Sequence, residues 1–345
     1  MLYYYQCYSA LRARYAMSHL PQELEEELEV ESLLRHALLP LSPLTRASGY
    51  TNEVWIGESY VVRLNGGRLR DSLRHERDVL VFLPDDIPHA KPLAYGRREH
   101  RGEYLILERL PGRNLDEVWG ELSIDSRKSA ASQLATFVQK LHSLPFSQVM
   151  GNPWLQLAID NCLFGDAYHA HPRHFMQQIQ GAIGLSDLDR GLIREVQQLL
   201  ETRLSVFDDA LDVFVHSDIH FRNVLWYNDH ITGLLDFEGS RPGPADLELD
   251  TLIRYIRYPE QFRPNRASSP GRQDLVTVLE WILIDYPGIC GCSQLVERLE
   301  AYEAMWQLVC LHHRGPDSHI ENPVRDLQDL LNGVFARDVR RLLGG

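Results

Sequence analysis

The chain has 345 residues, 44% hydrophobic and 24% charged, with a net charge of −13, enough for two or three lobes that each bury a core. The acidic balance argues against general nucleic-acid binding, which needs basic patches to meet phosphates, and favours neutral or cationic partners. No run of about 18 apolar residues occurs, so no membrane-spanning helix is expected; the five cysteines lack paired-ligand spacing and read as reduced thiols of a cytoplasmic protein.

Near the start, Gln6, Ser9, Arg12 and Arg14 interrupt any apolar core, so the stretch does not read as a signal peptide, and Met17 is an alternative start. Residues 1–43 read as an extension closing in a helix: Pro21 precedes QELEEELEVESLLRHALL, with Leu24, Leu28 and Leu34 among the apolar positions and the glutamates as a solvated face. Residues 44–110 read as a small α+β unit. Thr45 to Leu64 gives short strands with a turn at Glu58–Ser59, RLRDSLRHERDVLVFL a helix, and YLILERLPG a strand entering a Pro-Gly turn. From Leu115 to the end, residues repeat at i, i+3, i+4, including SQLATFVQKLHSL, RGLIREVQQLLETRL, DLVTVLEWILI, SQLVERLEAYEAMWQLVCLHH and VRDLQDLLNGVFARDVRRLL, the last read as a single helix. RYPEQFRPNRASSPGR reads as a loop.

One segment breaks the helical pattern. In FVHSDIHFRNVLWYNDHITGLLDFEG, Phe214 to Gly239, two apolar runs flank the turn pair Asn228–Asp229 and predict a β-hairpin, in tight register with Phe221 roughly opposite Asp236. Asp218, Asn223 and Asp236 then converge at its open end. Acidic and amide oxygens crowded there suit a hard divalent cation such as Mg²⁺. In the preceding unit, Leu69, Leu73, Leu80 and Leu83 form a helical stripe with Glu76 in its gap, and a buried glutamate needs a cationic partner. Arg63, inside the strand YVVRL, is the candidate.

These residues resemble the aminoglycoside phosphotransferase family, also called choline-kinase-like, whose members typically read H-G-D-x-x-x-x-N, then D-F/W-E, then G-D-P-x-x-D-L; here the text is HSDIHFRN, DFEG and GPADLELD. The likeness covers about Leu44 to Leu252. It implies a protein-kinase-like bilobal α+β fold: a mixed-sheet N-lobe (44–110) and a mostly helical C-lobe (111–345) carrying the catalytic hairpin. It implies Mg²⁺-dependent transfer of the γ-phosphate of ATP or GTP to a hydroxyl of a small molecule. Asp218 would be the catalytic base and Asn223 and Asp236 the metal ligands, with His216 and His220 ordering the loop. Arg63, paired to Glu76, would hold nucleotide phosphates where protein kinases use Lys; none of the three lysines (Lys91, Lys128, Lys140) lies in that strand. Ser48 and Gly49 occupy the place of the phosphate loop. Backbone atoms of Glu108 and Leu110 would meet the base at the hinge, between Val61 and Leu225. The aspartate that braces the catalytic loop would be Asp246 or Asp250, with Asp250 preferred.

The helical stretch Trp154 to Leu204 is where this family builds its acceptor pocket. Residues 1–110 hold 14 Lys+Arg and 16 Asp+Glu, a balance of −2, leaving 21 and 32, or −11, for residues 111–345. That asymmetry points to a cationic acceptor, of aminoglycoside or macrolide type, and so to antibiotic resistance. The alternatives are a kinase of a choline- or homoserine-like metabolite, or a nucleotide-binding pseudokinase scaffold.

Overall fold

The computed structural model describes residues 22–47, 52–65, 72–98, 101–145, 190–208, 211–262, 269–314 and 322–344. They divide into two units, Met1–Phe82 with Ala90–Leu110, and Leu83–His89 with Pro111–Gly345.

In the first unit, helix α1 (Gln22–His36) buries Val30, Leu33 and Leu34 against Trp55, Tyr60, Val62, Leu64, Tyr104 and Ile106. Full burial of each such aliphatic side chain is worth about 1.5–3 kcal/mol. The expected solvated glutamate face is incomplete: Glu29 is buried, held by Arg98 at 3.4 Å and Arg101 at 2.9 Å. Strands β1 (Thr45–Ala47), β2 (Asn52–Ile56) and β3 (Tyr60–Asn65) form from the β-branched and aromatic runs expected to be strands, and α2 (Ser72–Phe82) follows. Strands β4 (Pro92–Arg98) and β5 (Gly102–Glu108) complete an antiparallel sheet of order β1-β2-β3-β5-β4. Sequence reasoning missed β4, whose Pro92 and Gly96 read as breakers. Gly96 is there for contact: a Cβ on it would stand 2.6 Å from the Tyr104 ring.

The second unit opens with β6 (Arg113–Asn114), α3 (Leu115–Val118) and α4 (Ile124–His142), whose N-cap Ser123 accepts the Ser126 N–H. Then come α5 (Arg190–Arg203), β7 (Asp212–Val215), β8 (Val224–Tyr227), β9 (His230–Leu234) and β10 (Arg241–Pro244). Helices α6 (Asp246–Arg257), α7 (Pro259–Phe262), α8 (Arg272–Asp285) and α9 (Leu295–Arg314) form most of the remainder. Two expectations fail here. The segment RYPEQF carries the short α7, and the C-terminal stretch is two helices, α10 (Pro323–Leu331) and α11 (Val334–Leu342). The break is Gly333, whose φ of 67° lies in the left-handed region that stops a helix; its N–H caps the Leu330 carbonyl at 2.9 Å. A sheet-and-helix first unit and a mostly helical second unit are the α+β fold class the sequence implied, although the sheet expected to be mixed is antiparallel throughout.

Candidate active site

Three short elements of the second unit position the candidate catalytic segment. Strand β7 pairs with β10 and ends at Val215, delivering His216, Ser217 and Asp218. A tight turn over Phe221–Asn223 leads into the β8–β9 hairpin, whose turn residues Asn228 and Asp229 both have positive φ, as an Asn-Asp tip predicts. Thr232 is an extra residue in β9, so Val224 pairs with Leu234 and the register runs one residue beyond the tight hairpin expected.

His216 joins the two halves of the site. It is fully buried. Its Nε2 bonds to the Leu235 carbonyl at 2.9 Å, which requires an N–H there, and its Nδ1 accepts the Asp218 N–H at 3.3 Å. Burial holds the imidazole below its ordinary pKa against the opposing pull of the Asp218 and Asp236 carboxylates, so the ring is neutral. Leu235 is held a second time, its N–H on the Asn223 carbonyl at 2.9 Å. Asp236 follows directly, in the left-handed region at φ 67°.

Asn223 Nδ2 donates to Asp218 Oδ2 at 2.9 Å and to the Asp218 carbonyl at 3.0 Å. His220 Nε2 lies 3.5 Å from the same Oδ2, so both of these contacts fall on one carboxylate oxygen and leave Oδ1 clear of them. Burial pushes the Asp218 carboxyl up, but His220 beside it and the Arg254 guanidinium outweigh it and hold it below the ordinary aspartate value. The residue is ionised at neutral pH. With its nitrogen committed, Asn223 offers Oδ1 to a cation, and Asp236 offers carboxylate oxygens. Among the described residues no group of three His, Cys, Asp or Glu side chains could hold a metal by itself. Two protein oxygens fit Mg²⁺, which keeps its other positions for waters and phosphate oxygens.

The brace under this loop is Glu248, not Asp250 or Asp246. Glu248 is fully buried and accepts the backbone N–H groups of both His216 and Ser217, the second at 3.1 Å. Asp250 pairs instead with Arg254 at 3.0 Å, and Asp246 with Arg298 at 2.7 Å. Ser217 needs the brace because its φ is 66°, a conformation costly for any residue with a Cβ, and the related family places glycine there. Its hydroxyl donates to the Gly239 carbonyl at 2.7 Å, and Thr251 Oγ1 donates to the Ser217 carbonyl at 3.1 Å. Burial raises the Glu248 carboxyl to about 7 despite those N–H donors, with Asp218 adding to the rise.

In the first unit the structure brings Arg63 and Glu76 together as a buried ion pair, across β3 and α2. A feature missed in the sequence fixes where α2 starts. Buried Glu103 accepts the Leu73 N–H at 3.3 Å and Asn65 Nδ2 at 3.1 Å through one oxygen, and the Tyr95 hydroxyl through the other. Val61 sits in β3 opposite Leu107, and Glu108 exchanges bonds with the Lys91 backbone, its N–H donating to the carbonyl at 2.9 Å. Leu110 ends the first unit, whereas Leu225 lies in β8 of the second, opposite Gly233. Ser48 and Gly49 lie outside the described residues, as does most of Trp154 to Leu204; its last turns form α5.

The model of the phosphotransferase enzyme family matches residues 42–281. No curated protein matches. Solved structures do. Aminoglycoside 2'-phosphotransferase-IIIa in its GDP complex is 13% identical with a TM-score of 0.63, covering 92% of this chain and 100% of that one. APH(2'')-Ib with ADP is 18% identical with a TM-score of 0.58, covering 90% and 97%. A thermostable mutant of APH(4)-Ia, in a ternary complex with ADP and hygromycin B, is 18% identical with a TM-score of 0.60, covering 89% and 97%.

Proposed function

This chain belongs to the phosphotransferase enzyme family, and from that premise we propose that it transfers the γ-phosphate of ATP or GTP, as its Mg²⁺ complex, to a hydroxyl of a cationic small molecule of aminoglycoside or macrolide type. The observation that carries the reading is the knot of hydrogen bonds through His216 and Asn223, which ties the candidate base Asp218 to the segment bearing Asp236. Asp218 Oδ1 takes the proton of the attacking hydroxyl. The deprotonated hydroxyl oxygen of the acceptor bonds to the γ-phosphorus as the bond to the bridging oxygen breaks, releasing the nucleoside diphosphate. Asn223 Oδ1 and Asp236 would hold Mg²⁺, which when bound supplies neutralisation of phosphate charge. Arg63, paired to Glu76, would offer its planar fork to phosphate oxygens.

The nature of the acceptor is supported by the −11 balance over residues 111–345 and by aminoglycosides bound to structural neighbours, such as gentamicin in APH(2'')-IIa. Antibiotic resistance, exercised in the cytoplasm, is the role this reading implies; no described helix is long and apolar enough to cross a membrane. Labelled ATP and GTP should be tested against a panel of aminoglycosides, macrolides, choline and homoserine. Transfer to the amine-bearing antibiotics is expected, with Asp218→Asn lowering the rate by about 10²- to 10⁴-fold at little change in nucleotide affinity. Near-native turnover of that variant would remove Asp218 from the mechanism, and transfer to choline or homoserine alone would remove the antibiotic reading.

A further inference from the structure

A cleft of about 480 Å³ lies in the second unit, lined by residues of α6, α8, α10 and α11 and outside the catalytic segment. Its lining is rich in arginine although the chain is acidic overall. Arg257 reaches Asp338 at 2.5 Å and stacks over Phe335, 4.8 Å from the ring centre. Arg272 reaches the same carboxylate at 3.2 Å, so one aspartate serves two guanidinium groups. Arg325 has its own partner, Asp326, at 3.1 Å. Arg337 and Arg341 sit one turn apart on α11, and among the described residues neither has a carboxylate partner; Arg337 reaches only the Asn332 carbonyl, at 3.3 Å. With Asp329 counted, five arginines face three aspartates among the described lining residues, a local balance of +2 in a chain of −13.

Two cations at i and i+4 repel each other and weaken a helix. The negative end of the α11 dipole offsets this for Arg341 in the last turn, but it does not reach Arg337. Asp338 gathers Arg257 and Arg272, and Asp326 holds Arg325, but among the described residues no carboxylate balances Arg337 and Arg341. An anion would. A carboxylate brings one charge, whereas a phosphoryl group brings about two and offers paired oxygens to planar forks. A volume near 480 Å³ leaves room beside the phosphoryl group for a small organic body. The three aspartates would repel a continuous nucleic-acid backbone.

We propose that this cleft binds a phosphorylated small molecule, with Arg337 and Arg341 supplying the guanidinium forks that the internal ion pairs leave over. The site is independent of phosphoryl transfer at Asp218. The test is calorimetry on the full chain carrying Asp236→Ala, in EDTA so that no Mg²⁺–phosphate complex enters the catalytic segment. The probes are pyrophosphate and glucose 6-phosphate, each against sodium chloride at matched ionic strength. Saturable one-site binding of at least one probe is expected, weakened tenfold or more by adding Arg337→Ala and Arg341→Ala. Both side chains are exposed, so the double variant should melt as its parent does. With Asp236 intact, the same double variant should bind Mg²⁺–ATP as the native chain does. No saturable heat beyond matched salt, equal binding by the double variant, or a parallel loss of Mg²⁺–ATP affinity would each overturn the proposal.

Discussion

Replacing Glu248 by glutamine should flatten the dependence of stability on pH without undoing the catalytic loop. Glu248 has its carboxyl raised from 4.5 to about 7, chiefly by burial. For a carboxylate the sign is clear. The folded state holds the proton more tightly than the unfolded chain, so the contribution to stability is full below about 4.5 and is lost as pH rises through about 7. A shift of that size corresponds to about 3 kcal/mol between the two limits. Glutamine cannot ionise, yet its carbonyl oxygen can stay at the Oε1 position, which receives both N–H groups. Glu248→Ala, by contrast, leaves two buried donors without an acceptor, at a cost of about 1–3 kcal/mol each, and lets Ser217 relax from φ 66°. Urea melts of the native chain and both variants, at intervals from pH 5 to pH 8.5, would separate these effects. Asp250, Glu303 and Asp326 are also raised by burial and titrate in the same direction, so the quantity to read is the difference between native and glutamine curves. That difference should move in favour of glutamine as pH rises. A Glu248→Gln curve parallel to the native one would refute the reasoning.

Arg63→Ala should weaken transfer and cost roughly 3–5 kcal/mol by leaving Glu76 buried without its partner, while adding Glu76→Gln should restore stability but not rate; denaturant melts and initial rates on the same proteins decide it, and a native rate in Arg63→Ala would reduce the pair to a strut. Asp236→Ala should abolish Mg²⁺-dependent nucleotide binding in calorimetry, and unchanged binding would put the metal elsewhere. Glu103→Ala should lower stability by roughly 2–4 kcal/mol in thermal or urea melts, because the Leu73 N–H and the Tyr95 hydroxyl lose this acceptor and the Asn65 amide loses one of its bonds, keeping that to the Ser72 hydroxyl. Glu103→Gln, which keeps an oxygen for the Leu73 N–H and the Asn65 amide, should recover most of it.

What could be read in the sequence depended on whether a residue's chemistry clashed with its surroundings. Asp218, Asn223 and Asp236 stood out as polar groups in an apolar hairpin. Glu76 stood out on a leucine stripe, and Arg63 answered it. Glu248 did not, because ADLELD offers three acids at alternate positions. Only the starting phase of α6 decides that Asp246 turns to Arg298, Asp250 to Arg254, and Glu248 to the loop. Glu103 gave no signal, since a glutamate in a strand is ordinary until its 38-residue reach to Asn65 is known. The broken C-terminal helix was a different failure: periodicity runs through Asn332–Gly333 unchanged, and the pair's turn chemistry should have outranked it.

His216 carries a consequence for sequence variation. A side chain there must present an acceptor to the Asp218 N–H and, from the opposite edge, a donor to the Leu235 carbonyl, inside a volume closed to water. Asparagine and glutamine have both functions, but on one terminal group that cannot span the two contacts as a ring does. Carboxylates lack the donor when ionised, and aliphatic residues lack both. In a library randomised at this position and selected for transfer, histidine should therefore dominate, even though it touches no substrate. The hairpin tip at Asn228–Asp229, exposed and a full strand away, is limited in the same selection by its positive φ, and should exchange freely among asparagine, aspartate and glycine.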